Sequence, residues 1–238
     1  MNMKIIDDLN IRFTDSTPEQ VIAFFLDSYR GRILQATSMG PEDQVITHMI
    51  ASTDKSTRIV TLDTGRLFEE TYDLVEKTNA KYGINIELLF PDFEKVQAMT
   101  SEHGINLFYK SLENRKMCCR IRKDDPIRRA LMGQEAWICG LRKDQTVTRF
   151  FNRMVEWDAQ HELIRVNPLI NWTEKQVWEY IKGNDIPYNV LHDSGYTSIG
   201  CKPCTRAIKP GEDSRAGRWW WEQAEHKECG LHNSEHGS

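Results

Sequence analysis

The alternation of short β-branched runs with longer amphipathic stretches does most to narrow the folds open to this chain. Arg32-Ile33-Leu34-Gln35-Ala36 and Arg58-Ile59-Val60-Thr61-Leu62 read as strands, and so do Ile84 to Phe90 and Ala136 to Cys139. Asp43 to Ala51 and Leu67 to Tyr82 read as the helices between the first three. Upstream, Thr17-Pro18-Glu19 supplies a hydroxyl cap and a first-turn proline for a helix whose apolar positions are Val21, Ile22, Phe24, Phe25 and Tyr29. Strands and helices alternating in this way predict an α/β fold, a parallel twisted sheet flanked by helices. Ligands of such sheets bind beyond the carboxyl ends of the strands. The loops Ser38 to Glu42, Asp63 to Arg66 and Gly140 to Arg142 lie on that rim.

From about Asn167 the texture changes. Thr173-Glu174-Lys175-Gln176 predicts a capped helix through Ile181, after which glycines, prolines and aromatics dominate. There is no internal repeat, and a chain of 238 residues can bury one substantial α/β core. A single domain over 1–232 is expected, its catalytic segment at about 205–232, with 233–238 a disordered tail.

A net charge of −4 gives no global attraction to nucleic acid, so an anion site must come from local clustering of basic residues. No stretch approaches the roughly 20 apolar residues of a membrane span. Met1 to Asn10 carries Asp7 and Asp8 and lacks the apolar run of a signal peptide, so a cytoplasmic location is expected. In that reducing compartment the six cysteines are better read as ligands or nucleophiles than as disulfides.

Cys201-Lys202-Pro203-Cys204 is a C-x-x-C in a loop bearing glycine and proline, and Cys118-Cys119 is an adjacent pair. Together they supply the four thiolates of a [4Fe–4S] cluster. A structural zinc site is the first competitor, although zinc ligand pairs usually keep two to four residues between them. A thioredoxin-like C-x-x-C leaves the adjacent pair unexplained, and inert burial suits single cysteines better than two pairs. Cys139, inside Ala136-Trp137-Ile138-Cys139, is read as small, buried packing.

Glu228-Cys229-Gly230-Leu231-His232 places a thiol beside Lys227 and His232, which favour its thiolate. Upstream, Arg215 and Arg218 are three apart, suited as one face of a helical turn to gripping an anion. A solvated face is the bland alternative for these arginines, and packing for Trp219-Trp220-Trp221.

With these motifs the chain resembles the assimilatory sulfonucleotide reductases, in particular the cluster-bearing adenylylsulfate (APS) reductases. The resemblance runs from about Gln20 to His232. It rests on Cys118-Cys119-Arg120-Ile121-Arg122-Lys123, Cys201-Lys202-Pro203-Cys204-Thr205-Arg206, Gly217-Arg218-Trp219-Trp220-Trp221 and Lys227-Glu228-Cys229-Gly230-Leu231-His232. It implies a fold akin to the adenine-nucleotide hydrolases, with a phosphate-type loop at Ser38 to Asp43. There Ser38-Met39-Gly40-Pro41-Glu42-Asp43 departs from the Ser-Gly-Gly-x-Asp-Ser of ATP pyrophosphatases, which argues against a triphosphate with magnesium.

The resemblance further implies a [4Fe–4S] cluster on Cys118, Cys119, Cys201 and Cys204, and Cys229 as the nucleophile toward APS. It puts Lys123, Arg149, Arg215, Arg218 and His232 at the reacting sulfate, and Ser38 at the nucleotide phosphate. Thioredoxin or glutaredoxin is the implied partner, and dimers or tetramers the implied assembly. A reductase of PAPS, or of both nucleotides, is one alternative; a non-catalytic metal-binding nucleotide sensor is another.

Overall fold

The computed structural model describes residues 3–145 and 150–222. Its sheet is built from β1 (Ile33–Thr37), β2 (Arg58–Leu62), β3 (Glu87–Leu89), β4 (Ala136–Ile138), β5 (Val155–Asp158) and β6 (Leu163–Val166), in the order β3-β2-β1-β4-β6-β5. β1 runs parallel to both β2 and β4, in register at Gln35↔Ile59 and Leu34↔Trp137. β4 is parallel to β6, and β5 closes that edge antiparallel to β6. Every residue of β4 and β6 is buried, as parallel strands covered on both faces must be. The expected α/β fold with a mostly parallel sheet is present.

The chain groups into two compact units. The first comprises the described residues of 1–61, 71–87 and 131–189; the second comprises 62–70, 88–130 and the described residues from 190 onward.

In the first unit, helices α1 (Met3–Arg12), α2 (Pro18–Ser28), α3 (Pro41–Thr53), α4 (Glu69–Tyr82) and α8 (Glu174–Gly183) surround the strands. Two reciprocal caps start α2 and α8. The backbone N–H of Gln20 donates to Thr17 Oγ1 while Thr17 N–H donates to Gln20 Oε1, and Thr173 with Gln176 repeats the arrangement. α4 ends at Gly83, whose φ of 61° only glycine adopts without cost. The amides of Ile84 and Ile86 then donate to the backbone oxygen and Oδ1 of Asn79. That cap uses the donors a ladder would need, so β3 begins at Glu87 rather than at Ile84. α1 lies against β5, where Asn10 Nδ2 donates to the Val155 carbonyl at 2.8 Å and Val155 N–H donates to Asn10 Oδ1 at 3.2 Å.

The second unit holds α5 (Phe93–His103), a 3-10 turn at Leu107–Tyr109, α6 (Leu112–Cys119), a π-helical turn at Arg120–Asp124, α7 (Asp125–Leu131) and short 3-10 turns at Val190–Ser194 and Lys202–Cys204. Its core is built from Met99, Leu107, Phe108 and Trp219 together with Cys119, Cys201 and Cys204. No helix among the described residues is long and apolar enough to cross a membrane.

Candidate functional site

The adjacent cysteines close α6, whose first turn is capped by Ser111 accepting from Asn114 N–H. The helix continues through the π turn, where Asp125 N–H reaches back to the carbonyl of Arg120. Pro126 has no N–H to offer at the next position, so the wider turn absorbs the lost bond. Lys123 lies in that turn.

The other pair brackets the 3-10 turn Lys202–Cys204, with Cys204 N–H on the Cys201 carbonyl at 2.9 Å. Thr205 clamps this loop, its hydroxyl accepting from Gly200 N–H at 3.1 Å and donating to the Cys201 carbonyl at 3.0 Å. Thr205 also bridges antiparallel to Arg218, while Arg206 N–H bonds the Gly217 carbonyl. The two strands approach so closely that a Cβ on Gly217 would stand 2.2 Å from the Arg206 carbonyl oxygen.

Cys118, Cys119, Cys201 and Cys204 line one cavity of about 360 Å³, its open mouth included. Phe108, Pro203 and Trp219 add apolar wall, and Arg66, Arg115, Arg122 and Lys123 add positive charge. Burial pushes the Cys118 thiol up, against the pull of Arg122 and Lys123. Burial, reinforced by Cys201, pushes Cys204 up to about 12. Without a metal ion these groups are therefore protonated thiols, and a bound cation is what converts such thiols to thiolates. Thr64 Oγ1 is 3.2 Å from Cys201 Sγ, and Arg122 Nη1 donates to the Thr64 carbonyl at 2.6 Å. Trp219 Nε1 is buried with no hydrogen-bond partner among the described residues. Among those residues no three or more His, Cys, Asp or Glu side chains are arranged to hold a single metal ion.

Trp219 has a φ of 40°, a genuine outlier for a bulky residue, and is 1% exposed. Two guanidiniums hold it there, Arg115 at 4.6 Å and Arg218 at 4.7 Å from the ring centroid. Arg218 is itself buried and donates through Nη1 to the Ile199 carbonyl and Ser198 Oγ. The expected helical face of Arg215 and Arg218 is instead a turn, with Arg218 N–H on the Arg215 carbonyl at 2.9 Å.

Ser38 lies in the first unit, between β1 and α3. Its N–H and hydroxyl donate to Asp43 Oδ2 at 2.7 and 2.6 Å, so that proton is engaged within the loop. Burial raises Asp43 to about 6 against the hydrogen bonds from Ser38 and Gly140, with Glu42 adding to the rise. Glu42 pairs with buried Arg142 at 2.7 Å. Cys139 is buried and its thiol is pushed well up by burial. Arg149, Cys229 and His232 lie outside the described residues.

The sequence reading passed over Arg115, Arg122 and Thr64. The first two stand four residues before and three after Cys119, on its face of a helix, and that spacing was the available signal.

Comparison with known proteins matches residues 32–207 to the phosphoadenosine phosphosulfate reductase domain. The chain is 51% identical over 203 residues to the adenosine 5'-phosphosulfate reductase of Allochromatium vinosum, covering 85% of this chain and 79% of that protein. It superimposes on the phosphoadenylyl-sulfate (PAPS) reductase of Candida auris with a TM-score of 0.76 at 30% identity, covering 87% of this chain and 98% of that one. The FMN adenylyltransferase of Candida glabrata, at 16% identity and a TM-score of 0.56 over 90% of this chain and 73% of that one, shares the fold. On the extent of these matches, the chain belongs to the phosphoadenosine phosphosulfate reductase domain family.

Proposed function

We propose that this chain reduces adenosine 5'-phosphosulfate to sulfite and AMP in sulfate assimilation, with a [4Fe–4S] cluster on Cys118, Cys119, Cys201 and Cys204 and a thioredoxin or glutaredoxin as reductant. One observation carries the reading: four cysteine thiols from two distant segments line a single cavity ringed by cations. Relatives named for the same nucleotide, at 51% and 49% identity, support the choice of substrate.

The residues present fit a thiolate-ligated cluster. Their number is right, the thiols are buried, and the unpartnered indole N–H of Trp219 in the cavity wall is a donor suited to sulfur. A single zinc ion is disfavoured by spacing, since zinc ligand pairs usually keep two to four residues between them and Cys118 and Cys119 are adjacent. A cluster held by these four cysteines would supply a fixed charge beside the substrate, and the thiol exchange below balances without electrons from it.

Cys229 supplies the nucleophile. Its thiolate attacks the sulfur of the nucleotide, the bond from that sulfur to the bridging phosphate oxygen breaks, and AMP leaves with the electron pair. A thiolate of the reductant then attacks Cys229 Sγ, and sulfite departs with the electrons of the broken S–S bond. The reductant's second thiol closes its own disulfide and returns Cys229 as thiolate. Because a thiolate approaching a sulfate meets repulsion, Lys123, Arg149, Arg215, Arg218 and His232 are proposed to supply the opposing charge. Arg218 does so while bracing the cysteine loop through Ile199. Ser38 is assigned to the nucleotide phosphate, toward which its hydroxyl would turn from Asp43 to donate.

The test is covalent. Protein incubated with the nucleotide alone should gain about 80 Da, one SO₃ group, on the peptide containing Cys229, and reduced thioredoxin should discharge it as sulfite. Cys229→Ser should keep its iron and gain nothing. Sulfite release without an adduct on Cys229 would overturn the mechanism.

A further inference from the structure

We infer that Arg115 is a positioning residue for the metal group of the four-cysteine cavity: aimed by Glu222, it donates to Cys119 from behind and shores up Trp219; this rests on the function proposed above.

Arg115 stands one turn before Cys119 on α6, so the two side chains share a face of the helix. Its side chain is 2% exposed and lines the cavity with all four thiols. Three neighbours meet this one guanidinium. Glu222, 8% exposed, takes Nε on Oε1 at 3.0 Å and Nη2 on Oε2 at 2.8 Å. The strained Trp219 lies against it, the ring centroid 4.6 Å away. Cys119 accepts a further hydrogen bond from it.

A guanidinium holds five N–H groups in one plane, so two bonds to a carboxylate aim the others. Glu222 thereby fixes the direction of the donor that reaches Cys119. A buried ion pair is seldom retained for stability alone, because desolvation offsets much of its attraction. Behind a metal ligand such a pair has a further use. Partners of the ligands govern metal affinity by about 10- to 100-fold, and hydrogen bonds to the sulfurs tune the potential of a cluster.

The two ends of the pair carry opposite charge, which separates this role from bracing of the fold. Methionine at 115 removes a cation beside the sulfurs, and glutamine at 222 removes an anion behind it. The experiment loads wild type, Arg115→Met, Glu222→Gln and Arg115→Met/Glu222→Gln with metal. It follows iron release to a chelator and, as a probe of charge at the sulfurs, the one-electron equilibrium of the cluster.

Arg115→Met should release iron at least about tenfold faster. It should shift the equilibrium toward the oxidised form by about tenfold, or about 59 mV. Glu222→Gln should shift it toward the reduced form and keep iron release within about twofold of wild type. The double variant leaves no buried charge unpaired, which keeps the test open where Arg115→Met does not fold. Lacking the donor to Cys119, it should still release iron about tenfold faster. Shifts of one sign in both single variants overturn the assignment, as does release from the double variant within about twofold of wild type. If wild type holds zinc and no acid-labile sulfide, the proposed cluster falls; zinc release from the same variants then decides the role of Arg115 by the same fold-changes.

Discussion

Replacing Asp43 by Asn measures how the loop after β1 holds its charge. Asp43 is 6% exposed and accepts from the Ser38 amide at 2.7 Å and the Ser38 hydroxyl at 2.6 Å, with Gly140 as a further backbone donor. These donors favour the carboxylate, yet burial outweighs them and raises the group from 3.8 to about 6. The folded protein therefore binds this proton more tightly than the unfolded chain does. The stabilisation is complete below pH 3.8 and is lost as pH rises through about 6. At 1.36 kcal/mol per pH unit the interval is worth about 3 kcal/mol. Asparagine cannot ionise, so Asp43→Asn lacks this slope. Urea unfolding of both proteins at pH 4, 5, 6 and 7, followed by far-UV circular dichroism, gives their stability difference at each pH. Relative to the variant, wild type should lose about 2 kcal/mol between pH 4 and pH 7, because ionisation of the unfolded chain has already begun at pH 4. A flat difference, or one that grows in favour of wild type with rising pH, would show that the Ser38 and Gly140 donors dominate burial.

Gly217→Ala puts a Cβ 2.2 Å from the Arg206 backbone oxygen, which cannot swing aside. It should cost about 1–3 kcal/mol in thermal unfolding and loosen the loop carrying Cys204, seen as faster iron release to a chelator. Cys139→Ser should leave iron and acid-labile sulfide unchanged, while a buried hydroxyl in place of the thiol lowers urea stability by about 1–3 kcal/mol.

What could be read from the residues was mostly local. The caps at Thr17 and Thr173 and the strands around Leu34 and Val60 depend on neighbours a few positions away, and they stand where the pattern puts them. β3 came out shorter because Asn79, seven residues before Ile86, claims its amide. The hairpin β5–β6 and the helices α1, α5, α6 and α7 went unread. α5 buries only Met99, so it has hardly any apolar stripe to betray it. The two cysteine pairs were legible because such pairs are rare, and the structure puts all four thiols on one cavity. Arg115 was not, since an arginine on a charged helix looks solvated and its partner Glu222 is 107 residues away. The same distance problem hid Thr64, which meets Cys201 across 137 residues.

The contact between Asn10 and Val155 bears on self-association. β5 ends the sheet order, and an edge strand offers bare N–H and carbonyl groups on which another chain can template itself. Asn10 presents to Val155 an amide whose donor and acceptor imitate one residue of an adjoining strand. The plug is a side chain on a helix, so it satisfies the edge without prolonging it, and α1 stands where a seventh strand would begin. Shielding of this kind guards against domain swapping and fibre growth at that border, a protection no substitution at Cys229 would disclose.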